Sequence, residues 1–508
     1  MSTIDLLPNV TSFSIGVILM ALSSVFAVIH RALERYRDPL RDVPGPFLAR
    51  WTSLWLAYQV RMGRRYLVVD ALHKKYGPLV RIAPNHVSVA HKDAINVVYG
   101  QGSRALDKSP YYHAFVSDKA SIFSTVDRQE HAQKRRLVSQ GFSYKSLMSV
   151  TPLLHSNLFH FVEKIDEISE RTGPIDALQW FNFLAFDILS DLAFGEPIGM
   201  VTNESDIVTV MCADGKVKEE NAISLVDERE HLAAVVGIHP WFKTLSKFIP
   251  DPFFIRGHKS STGLVDLARR RVTKRLESGS YREDILNKLI ETRIEESGAL
   301  TPEQVTELIA ETVTLLIAGS DTTSNSITAI IHLVLTHSRV HEKLLRHLQA
   351  AVPDGQVPKH EDVKDIPYLT AVIEEGLRYY ATTAIGLHRS VPRDGVLCLG
   401  KFFPEGTEMS VPAYTIQHDR TIWGDPENFR PERWLEEKDL GRYLLTFGKG
   451  PRQCLGRNLA YIEMQLVIAT MLLRYDIKLE SDHLETTEGF MHKPLRMMVE
   501  VKRKSSGC

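Results

Sequence analysis

The stretch FGKGPRQCLGRNLA, residues 447–460, decides the fold class because it places an isolated cysteine, Cys454, in a loop of glycine, proline and arginine. A helix-forming apolar pattern begins at Leu455. The sulfur therefore lies at the N-terminus of a predicted helix, where unpaired N–H groups and the helix dipole favour an anion. Because the thiolate is the metal-binding form of cysteine, this placement favours a ligand role. The alternative is a buried cysteine in a glycine turn.

The residues around Cys454 fit a large, flat metal complex that is bound through sulfur. Gly450 and Gly456 leave space for close approach to such a group, because glycine has no side chain. Arg452 offers a planar guanidinium that suits a carboxylate, and Phe447 can cover the sulfur from water. Together these features describe a heme-binding loop in which Cys454 supplies the thiolate ligand to iron.

The same residues form the motif FxxGxRxCxG, and here the chain resembles the heme-binding loop of the cytochromes P-450. The resemblance implies a cytochrome P-450 fold, mainly α with small β-sheets, and heme b as the cofactor. It also implies a monooxygenase that uses O₂ and NADPH-derived electrons from NADPH-cytochrome P-450 reductase, with cytochrome b5 as a second candidate donor. Over residues 68–89 and 487–494 the sequence resembles fungal microsomal members, namely benzoate 4-monooxygenases and related enzymes that tailor secondary metabolites.

A second family motif predicts a structural network behind the heme-binding loop. Glu375 and Arg378 are spaced i, i+3, so they share one face of a predicted helix. A solvated surface pair is the alternative. In the family this pair is joined by an arginine from a PxxFxPxRF loop, and PENFRPERW supplies Arg433, with Trp434 where phenylalanine is usual. The resemblance implies a buried network of Glu375, Arg378 and Arg433 that fixes the loop.

The sequence from Thr301 predicts an unusually long helix. Thr301 and Gln304 form a capping box, and no proline interrupts residues 303–337. The helix would be about 50 Å long, and because its middle is apolar on most sides it should run through the core. Short strands are predicted near residues 79–90 and 396–411, so the fold class is mainly α with minor β.

The middle of this helix, AGSDTT (318–323), matches the family motif AGx(D/E)T(T/S). Gly319 costs about 1 kcal/mol of helix stability relative to alanine, and we expect it to open a groove where dioxygen lies beside the heme. Thr322 is expected to donate a hydrogen bond to oxygen, and Asp321 to pass protons from solvent. The alternative is a helix kink in which the hydroxyls bond back to carbonyls four residues earlier.

The resemblance also implies cationic side chains for the heme propionates. Arg452 is one of them, and Arg389 and Arg135 are expected to be others. His131 stands where many relatives have tryptophan, so it replaces an indole donor by an imidazole. Lys108 is a further candidate, with a solvated surface lysine as its alternative.

The substrate pocket implied by family geometry is mostly apolar, which suits a small hydrophobic substrate. Its members are Tyr111, Tyr112, Phe115, Phe123, Ile317, Thr383, Leu387 and Phe490. An aromatic acid would require a cation or hydroxyl, and only the tyrosines and Thr383 offer one. From the sequence we therefore rank tailoring of a fungal secondary metabolite ahead of para-hydroxylation of benzoate.

The N-terminal residues predict a membrane anchor. Residues 1–30 contain a mainly apolar run with no charged side chain between Asp5 and Arg31, and about 20 such residues span a bilayer. The basic, proline-rich segment 31–47 predicts a linker to a single heme-binding monooxygenase domain, 48–508, which faces the cytosol by the positive-inside rule. We expect a single-pass protein of the endoplasmic reticulum membrane with lipid as a partner. A cleaved signal peptide is the alternative.

Composition excludes several other classes of protein. The 508 residues carry a net charge of -1, so no overall basic excess indicates nucleic-acid binding. The cysteines, at positions 212, 398, 454 and 508, lack the spacing of a disulfide framework or a cysteine zinc site. GQGSRA (100–105) has the glycine spacing of a dinucleotide loop, but a helical pattern precedes it where a strand is required.

Two surface segments are candidates for partner contacts. Basic side chains near the heme loop would form a face that steers an acidic reductase, although charge runs are usually only solvated. They are Arg128, Lys134, Arg136, Lys145, Lys449 and Arg457. Aromatic and lysine residues alternate over 239–254, which predicts either contact with the bilayer or a segment that covers the core.

Two other classes of function stay open alongside the monooxygenase. A heme-thiolate isomerase or dehydratase that acts on peroxides would not need a proton relay, and Asp321 with Thr322 argues against it. A heme protein that only senses or carries is the other. Consumption of NADPH with a reductase and candidate substrates separates the three classes.

Overall fold

A computed structural model describes residues 17, 18, 22, 25, 38–102, 105–171, 173–211, 216–279, 282, 284–353 and 356–504. Of the predicted anchor over residues 1–30, only positions 17, 18, 22 and 25 belong to this part of the chain. Cys212 and Cys508 also lie outside the described residues. No helix within the described ranges is both long and apolar enough to cross a bilayer. The anchor therefore stays a prediction.

Helices dominate the described residues. In chain order they are α1 (Phe47–Trp51), α2 (Leu54–Arg61), α3 (Arg65–Tyr76), α4 (Ala94–Tyr99), α5 (Arg128–Ser139), α6 (Tyr144–Ser169), α7 (Ala177–Phe194), α8 (Met200–Asn203), α9 (Ala222–Val236), α10 (Phe242–Leu245), α11 (Pro252–Ser278), α12 (Ile285–Ser297), α13 (Pro302–Thr336), α14 (Ser338–Ala351), α15 (His360–Val363), α16 (Pro367–Tyr380), α17 (Ala413–Gln417), α18 (Arg420–Trp423), α19 (Arg433–Glu436) and α20 (Arg457–Arg474).

The strands form small sheets at the edges of the helical body. They are β1 (Leu79–Ala83), β2 (His86–Val89), β3 (Asp107–Lys108), β4 (Ile175–Asp176), β5 (Ile207–Met211), β6 (Val217–Asn221), β7 (Arg389–Ser390), β8 (Val396–Cys398), β9 (Lys401–Phe403), β10 (Glu408–Ser410), β11 (Tyr475–Leu479), β12 (Thr486–Glu488), β13 (His492–Pro494) and β14 (Met498–Arg503). The largest sheet has the order β1-β2-β10-β7-β3, in which β10 runs parallel to β2, and a second has the order β11-β14-β4.

The long helix predicted from Thr301 is confirmed. It is α13, which begins at Pro302 with the complete capping box of Thr301 and Gln304. Most of its middle and C-terminal half is buried among α7, α16 and α20. The strands predicted near residues 79–90 and 396–411 are also present, and the helix α4 that precedes GQGSRA agrees with the rejection of a dinucleotide loop.

The described end of the predicted linker packs on the globular domain. Arg81 in β1 forms an ion pair with Asp38 at 2.6 Å, and Leu40 and Val43 are buried with residues of β2 and β10. A Cβ atom on Gly45 would lie 2.2 Å from the Arg81 carbonyl oxygen, so glycine permits this close approach. Residues 38–45 of the predicted linker therefore pack against the sheet that contains β1, β2 and β10.

Candidate active site

Cys454 lies directly before helix α20, as its sequence context predicts. Gly456 is the N-cap residue of that helix, and a side chain on it would lie 3.9 Å from Cys454 Sγ. Burial raises the pKa of the Cys454 thiol, while the backbone N–H groups of Gly456 and Arg457 and the charge of Arg135 oppose that rise. The side chain keeps accessible surface although protein surrounds it, so its sulfur faces a recess within the protein.

The loop that presents the sulfur has little freedom. Gly450 has a φ of 68°, and a side chain there would lie 2.2 Å from the Tyr99 carbonyl oxygen at the end of α4. The glycine that sequence analysis assigned to cofactor approach is thus required by contact with the protein backbone. The Cys454 N–H donates to the Phe447 carbonyl at 2.8 Å, and the Phe447 ring packs 5.4 Å from that of Tyr461 in α20.

Behind the loop, the predicted network of Glu375, Arg378 and Arg433 is in direct contact and almost fully buried. Both oxygens of Glu375 accept from Arg378 at 2.9 Å, and one accepts from Arg433 at 3.1 Å. The carboxylate also accepts from the Arg430 backbone at 2.9 Å and from the Trp434 indole at 3.0 Å. The tryptophan that departs from the family pattern therefore adds a donor to the buried carboxylate.

Gln417 connects this network to the heme-binding loop. Its amide nitrogen donates to the carbonyls of Leu377 and Arg378, at 3.0 and 2.9 Å. Its amide oxygen accepts from the Leu445 backbone at 2.9 Å, two residues before Phe447. A buried charge network is rigid when nearly all of its donors are satisfied. This network therefore positions the loop that carries Cys454.

The residues predicted to bind propionates come together as one cationic cluster. Burial lowers the pKa of His131 to about 3, and the charges of Arg452, Lys108, Arg135 and Arg389 add to that effect. Arg452 has its pKa lowered to about 10 by burial and by Arg389. Such a concentration of positive charge is unfavourable by itself.

A dianionic group would offset this repulsion. The acidic neighbour of Arg452, Asp107, is already paired with Arg128 at 2.7 Å. The two carboxylates of heme b match the charge that the cluster requires, and Cys454 supplies the axial sulfur. The residues present therefore fit a thiolate-bound heme, which would supply dioxygen activation when bound.

The individual contacts of the cluster are specific. Arg452 donates to the Thr125 and Val126 carbonyls, each at 2.9 Å, so part of its guanidinium fixes the segment before α5. Arg135 donates to the Gln453 carbonyl at 2.8 Å, next to the cysteine. Lys108 is buried and donates to the Phe123 carbonyl, which contradicts its alternative as a solvated surface lysine.

In the middle of α13, helix packing and the open face of the helix depend on different residues. Ala318 is exposed and Thr322 half-buried in an otherwise buried stretch, so this face borders open space. Thr322 Oγ1 donates to the Ala318 carbonyl at 2.5 Å, which is the back-bonded alternative. A side chain on Gly319 would lie 2.6 Å from Leu189 of α7. The glycine is required by helix packing, and the open space on this face of the helix lies at Ala318 instead.

Asp321 belongs to a buried ion cluster that sequence analysis missed. Lys493 of β13 lies 3.5 Å from Asp321 and also pairs with Asp227 of α9. Burial would lower the pKa of Lys493, but the two carboxylates raise it above its usual range. Asp227, Glu230, Asp321 and Lys493 line one cavity of about 450 Å³, together with Phe490.

The acids of this cavity can exchange protons near neutral pH. Burial raises the pKa of Asp227 to about 6, with Lys493 opposing and Asp321 adding to the rise. Burial raises the pKa of Glu230 to about 7 in the same way, against the opposing charge of Arg229. Proton carriers of this pKa beside Asp321 suit general acid–base chemistry. Asp227 and Glu230 are spaced i, i+3 in α9, and this spacing is the sequence signal that could have identified them as a pair.

Most of the predicted substrate pocket is one aromatic cluster. The Phe115 ring lies 4.9 Å from Phe490 and 5.3 Å from Phe123, and Tyr112 lies 5.5 Å from Phe123. Tyr111 joins through Tyr112, at 5.5 Å. Leu387 packs against the cluster. Thr383 contacts Met491 at 3.7 Å, whereas Ile317 lies in the main helical core.

Comparison with known proteins identifies the family. A family model described as Cytochrome P450 matches residues 44–501. The chain belongs to the cytochrome P450 family. It is 41% identical over 491 residues to benzoate 4-monooxygenase bphA of Aspergillus niger, covering 93% of this chain and 94% of the relative. It is 30% identical to cytochrome P450 monooxygenase prhB of Penicillium brasilianum, covering 92% and 94%, and 29% identical to pisatin demethylase of Fusarium vanettenii, covering 87% and 84%.

Membership of the cytochrome P450 family makes the chain an oxygen-incorporating oxidoreductase with a heme-thiolate centre. The family implies O₂ as co-substrate, NADPH-derived electrons through a reductase and a small-molecule substrate. The chemistry of Cys454, the cationic cluster and the acids beside Asp321 agrees with these requirements. The isomerase and sensor classes are therefore not needed to explain the site.

Proposed function

We propose that this cytochrome P450 hydroxylates a small aromatic carboxylic acid, as the name of its relative benzoate 4-monooxygenase states for that protein. The cluster of Tyr111, Tyr112, Phe115, Phe123 and Phe490 provides edge-to-face partners for an aromatic ring. The observation that carries the proposal is a pair of buried polar groups at the edge of this cluster.

These groups are the Tyr111 hydroxyl and Nη1 of Arg65, neither of which makes a hydrogen bond of good geometry with the described residues. They do interact with each other, because Arg65 opposes the rise that burial gives the pKa of Tyr111. Arg65 pairs with Glu488 at 3.0 Å and donates to the Gly489 carbonyl at 3.4 Å, next to Phe490. Buried donors with incomplete hydrogen bonding are costly, and a substrate carboxylate would accept from both groups. Arg65 is the cation that the predicted pocket lacked, and Tyr111 is one of the hydroxyls that it already offered.

The test is a titration of the heme spin shift with benzoate and with toluene. We expect benzoate to bind, and Tyr111→Phe to weaken benzoate roughly tenfold while leaving toluene unchanged, because a hydrogen bond to a charged group contributes about 1.5–3 kcal/mol. Tyr144→Phe is the matched control, since Tyr144 is exposed. Equal loss of both ligands in Tyr111→Phe, or no benzoate binding to the parent enzyme, would reject the proposal.

Tailoring of a fungal secondary metabolite is the second candidate. It is favoured by the mainly apolar lining of the aromatic cluster. A larger neutral aromatic substrate that is consumed with matched NADPH oxidation, while benzoate is not turned over, would support this candidate instead.

We propose that the protein is anchored in the endoplasmic reticulum membrane by residues 1–30, and that one face of the domain touches the cytosolic leaflet. Exposed apolar side chains group on α1, α2 and the region around α10. They are Phe47, Leu48, Leu54, Tyr58, Trp241, Leu245, Phe248 and Ile255. Arg61 at the end of α2 pairs with Asp251 at 2.7 Å, which joins the two regions.

The other aromatic residues of segment 239–254 face the protein interior and not the proposed membrane surface. Phe254 is buried, and Phe242 and Phe253 pack on the aromatic cluster.

Quenching of tryptophan fluorescence by brominated lipids in vesicles tests the proposed membrane-facing surface. We expect Trp241→Phe to remove most of the quenching and Trp423→Phe, at a buried position, to leave it intact. Equal quenching in both variants would contradict the surface.

We propose that a basic surface near the heme-binding loop docks the reductase or cytochrome b5. Arg136 and Lys145 are exposed and Lys449 is half-buried, whereas Lys134 is turned inward and pairs with Glu130 at 2.8 Å. Charge reversal by Arg136→Glu and Lys449→Glu should slow reduction by the partner at low ionic strength, where steering is strongest. Reduction rates that stay unchanged would remove the docking proposal.

A further inference from the structure

Three side chains of the types that bind metal ions meet in the largest sheet. His86 of β2 is directly opposite Glu408 of the parallel strand β10, and His388 precedes β7 on the other side of β10. One ligand atom from each residue lies within 4.8 Å of the other two. The sheet thus brings residues from three adjacent strands to one point.

The two distances from Glu408 are close to those of a tetrahedral metal site. The Glu408 Oε2 atom lies 3.3 Å from His388 Nδ1 and 3.8 Å from His86 Nδ1. Zinc binds nitrogen and oxygen ligands at about 2.0–2.1 Å, which places tetrahedral ligand atoms about 3.3 Å apart. A hydrogen bond explains the shorter contact alone, because 3.8 Å lies outside hydrogen-bond range.

Neighbouring groups hold the imidazoles in place. The second ring nitrogen of His86 lies 2.8 Å from Ser410 Oγ, so its hydrogen can be donated there and Nδ1 is left as an acceptor. The His388 ring is stacked on Tyr111 at 4.0 Å with an interplanar angle of 11°. Such outer contacts orient histidine ligands in metal sites.

Burial disfavours the protonated form of both imidazoles. Burial lowers the pKa of His86 to about 3 and that of His388 well below its usual value. Neutral imidazole is the metal-binding form. The charges of Arg65 and Arg389 also act on His388, but Arg65 is paired with Glu488, and heme propionates would neutralise the cluster that contains Arg389.

We propose that His86, His388 and Glu408 bind one divalent transition-metal ion of the Zn²⁺ class. Two nitrogen ligands and one carboxylate suit zinc, with water as the fourth ligand. Glu408 keeps 26% of its side chain exposed, which leaves a path for the ion and the water. The ion would tie β2, β10 and β7 together and fix His388 beneath Tyr111 at the aromatic cluster.

The test measures zinc in the full-length, tag-free holoenzyme after dialysis against chelator and addition of zinc chloride. We expect one zinc per heme by elemental analysis, and X-ray absorption at the zinc edge with two imidazoles and one oxygen-donor carboxylate. Zinc should also raise the melting temperature, because a ligand that binds only the folded state stabilises it.

Matched variants connect the metal to these residues. His86→Gln and His388→Gln should each lose the bound zinc and the thermal shift, while heme content and the thiolate-type spectrum report that the domain is folded. His91→Gln is the control, since His91 is exposed beside Asp93. Zinc well below one per heme in the parent enzyme, absorption spectra without two imidazoles, or zinc retained in both variants would overturn the proposal. The parent measurement decides the question even where a variant does not fold.

Discussion

The ammonium group of Lys493 lies 3.5 Å from the carboxylate of Asp321, although 172 residues separate them in the chain. Lys493 also pairs with Asp227, so a strand near the C-terminus connects α9 to the middle of α13. Two carboxylates that share one cation are coupled. The protonation state beside the predicted proton relay therefore depends on a residue outside the relay motif.

Replacement of this cation by Lys493→Met should impair proton delivery. Without Lys493, the two carboxylates repel each other and the pKa of Asp227 rises further above about 6. We expect a roughly tenfold loss of product formed per NADPH, a part of what general acid–base groups contribute. The acidic limb of the pH–rate profile should also move to higher pH.

The control for Lys493→Met is Lys478→Met. Lys478 is 80% exposed, and its ammonium group lies 3.9 Å from Glu500, so this surface pair is weak. A pH–rate profile of Lys493→Met that overlays the parent profile would show that the ion cluster is structural.

Glu463 should make the protein less stable as pH rises. It is buried in α20, one of its oxygens has no hydrogen bond with the described residues, and burial raises its pKa to about 8. Between the unfolded pKa near 4.3 and about 8, the folded state binds a proton that the unfolded state has released. The free energy of unfolding therefore falls across this window, by several kcal/mol.

We expect Glu463→Gln to remove most of that fall, since the amide is neutral at every pH. Denaturant unfolding of both proteins at pH 5, 7 and 9 measures the difference, and Glu480→Gln at an exposed position is the control. A difference in unfolding free energy that does not change with pH would contradict the assigned pKa.

Loss of the buried carboxylate at Glu375 should prevent stable heme incorporation. Glu375→Gln leaves Arg378 and Arg433 buried with too little negative charge, and breaking a buried pair costs about 3–5 kcal/mol. Trp434→Phe removes one hydrogen bond to the carboxylate, which costs about 1–3 kcal/mol. Heme content and melting temperature should therefore fall strongly in the first variant and slightly in the second. Equal losses in both would contradict the network.

Gly319→Ala should destabilise the packing of α13 on α7. The new methyl group would lie 2.6 Å from the Leu189 side chain, and overpacking of this kind costs about 1–3 kcal/mol. The double variant with Leu189→Ala should recover part of the loss, which a double-mutant cycle of unfolding free energies measures. Additive losses would show that the glycine serves another purpose.

The sequence determined the family, the thiolate ligand and the main helices because each depends on residues close together in the chain. Cys454 and its glycines, the capping box of Thr301 and the motif around Asp321 are local patterns, and local patterns report local backbone geometry. The predicted anchor over residues 1–30 and the localisation that depends on it remain predictions from the same kind of pattern.

Only the tertiary structure decided which side chains share a space. It paired Lys493 with Asp321, placed Trp434 on Glu375, turned Gly319 towards Leu189 and gathered His86, His388 and Glu408 in one sheet. These contacts join residues on different elements, with 59 positions between Trp434 and Glu375 and 172 between Lys493 and Asp321. Their burial, and hence their charge state, follows from the packing of the whole chain, which no spacing rule within one segment contains.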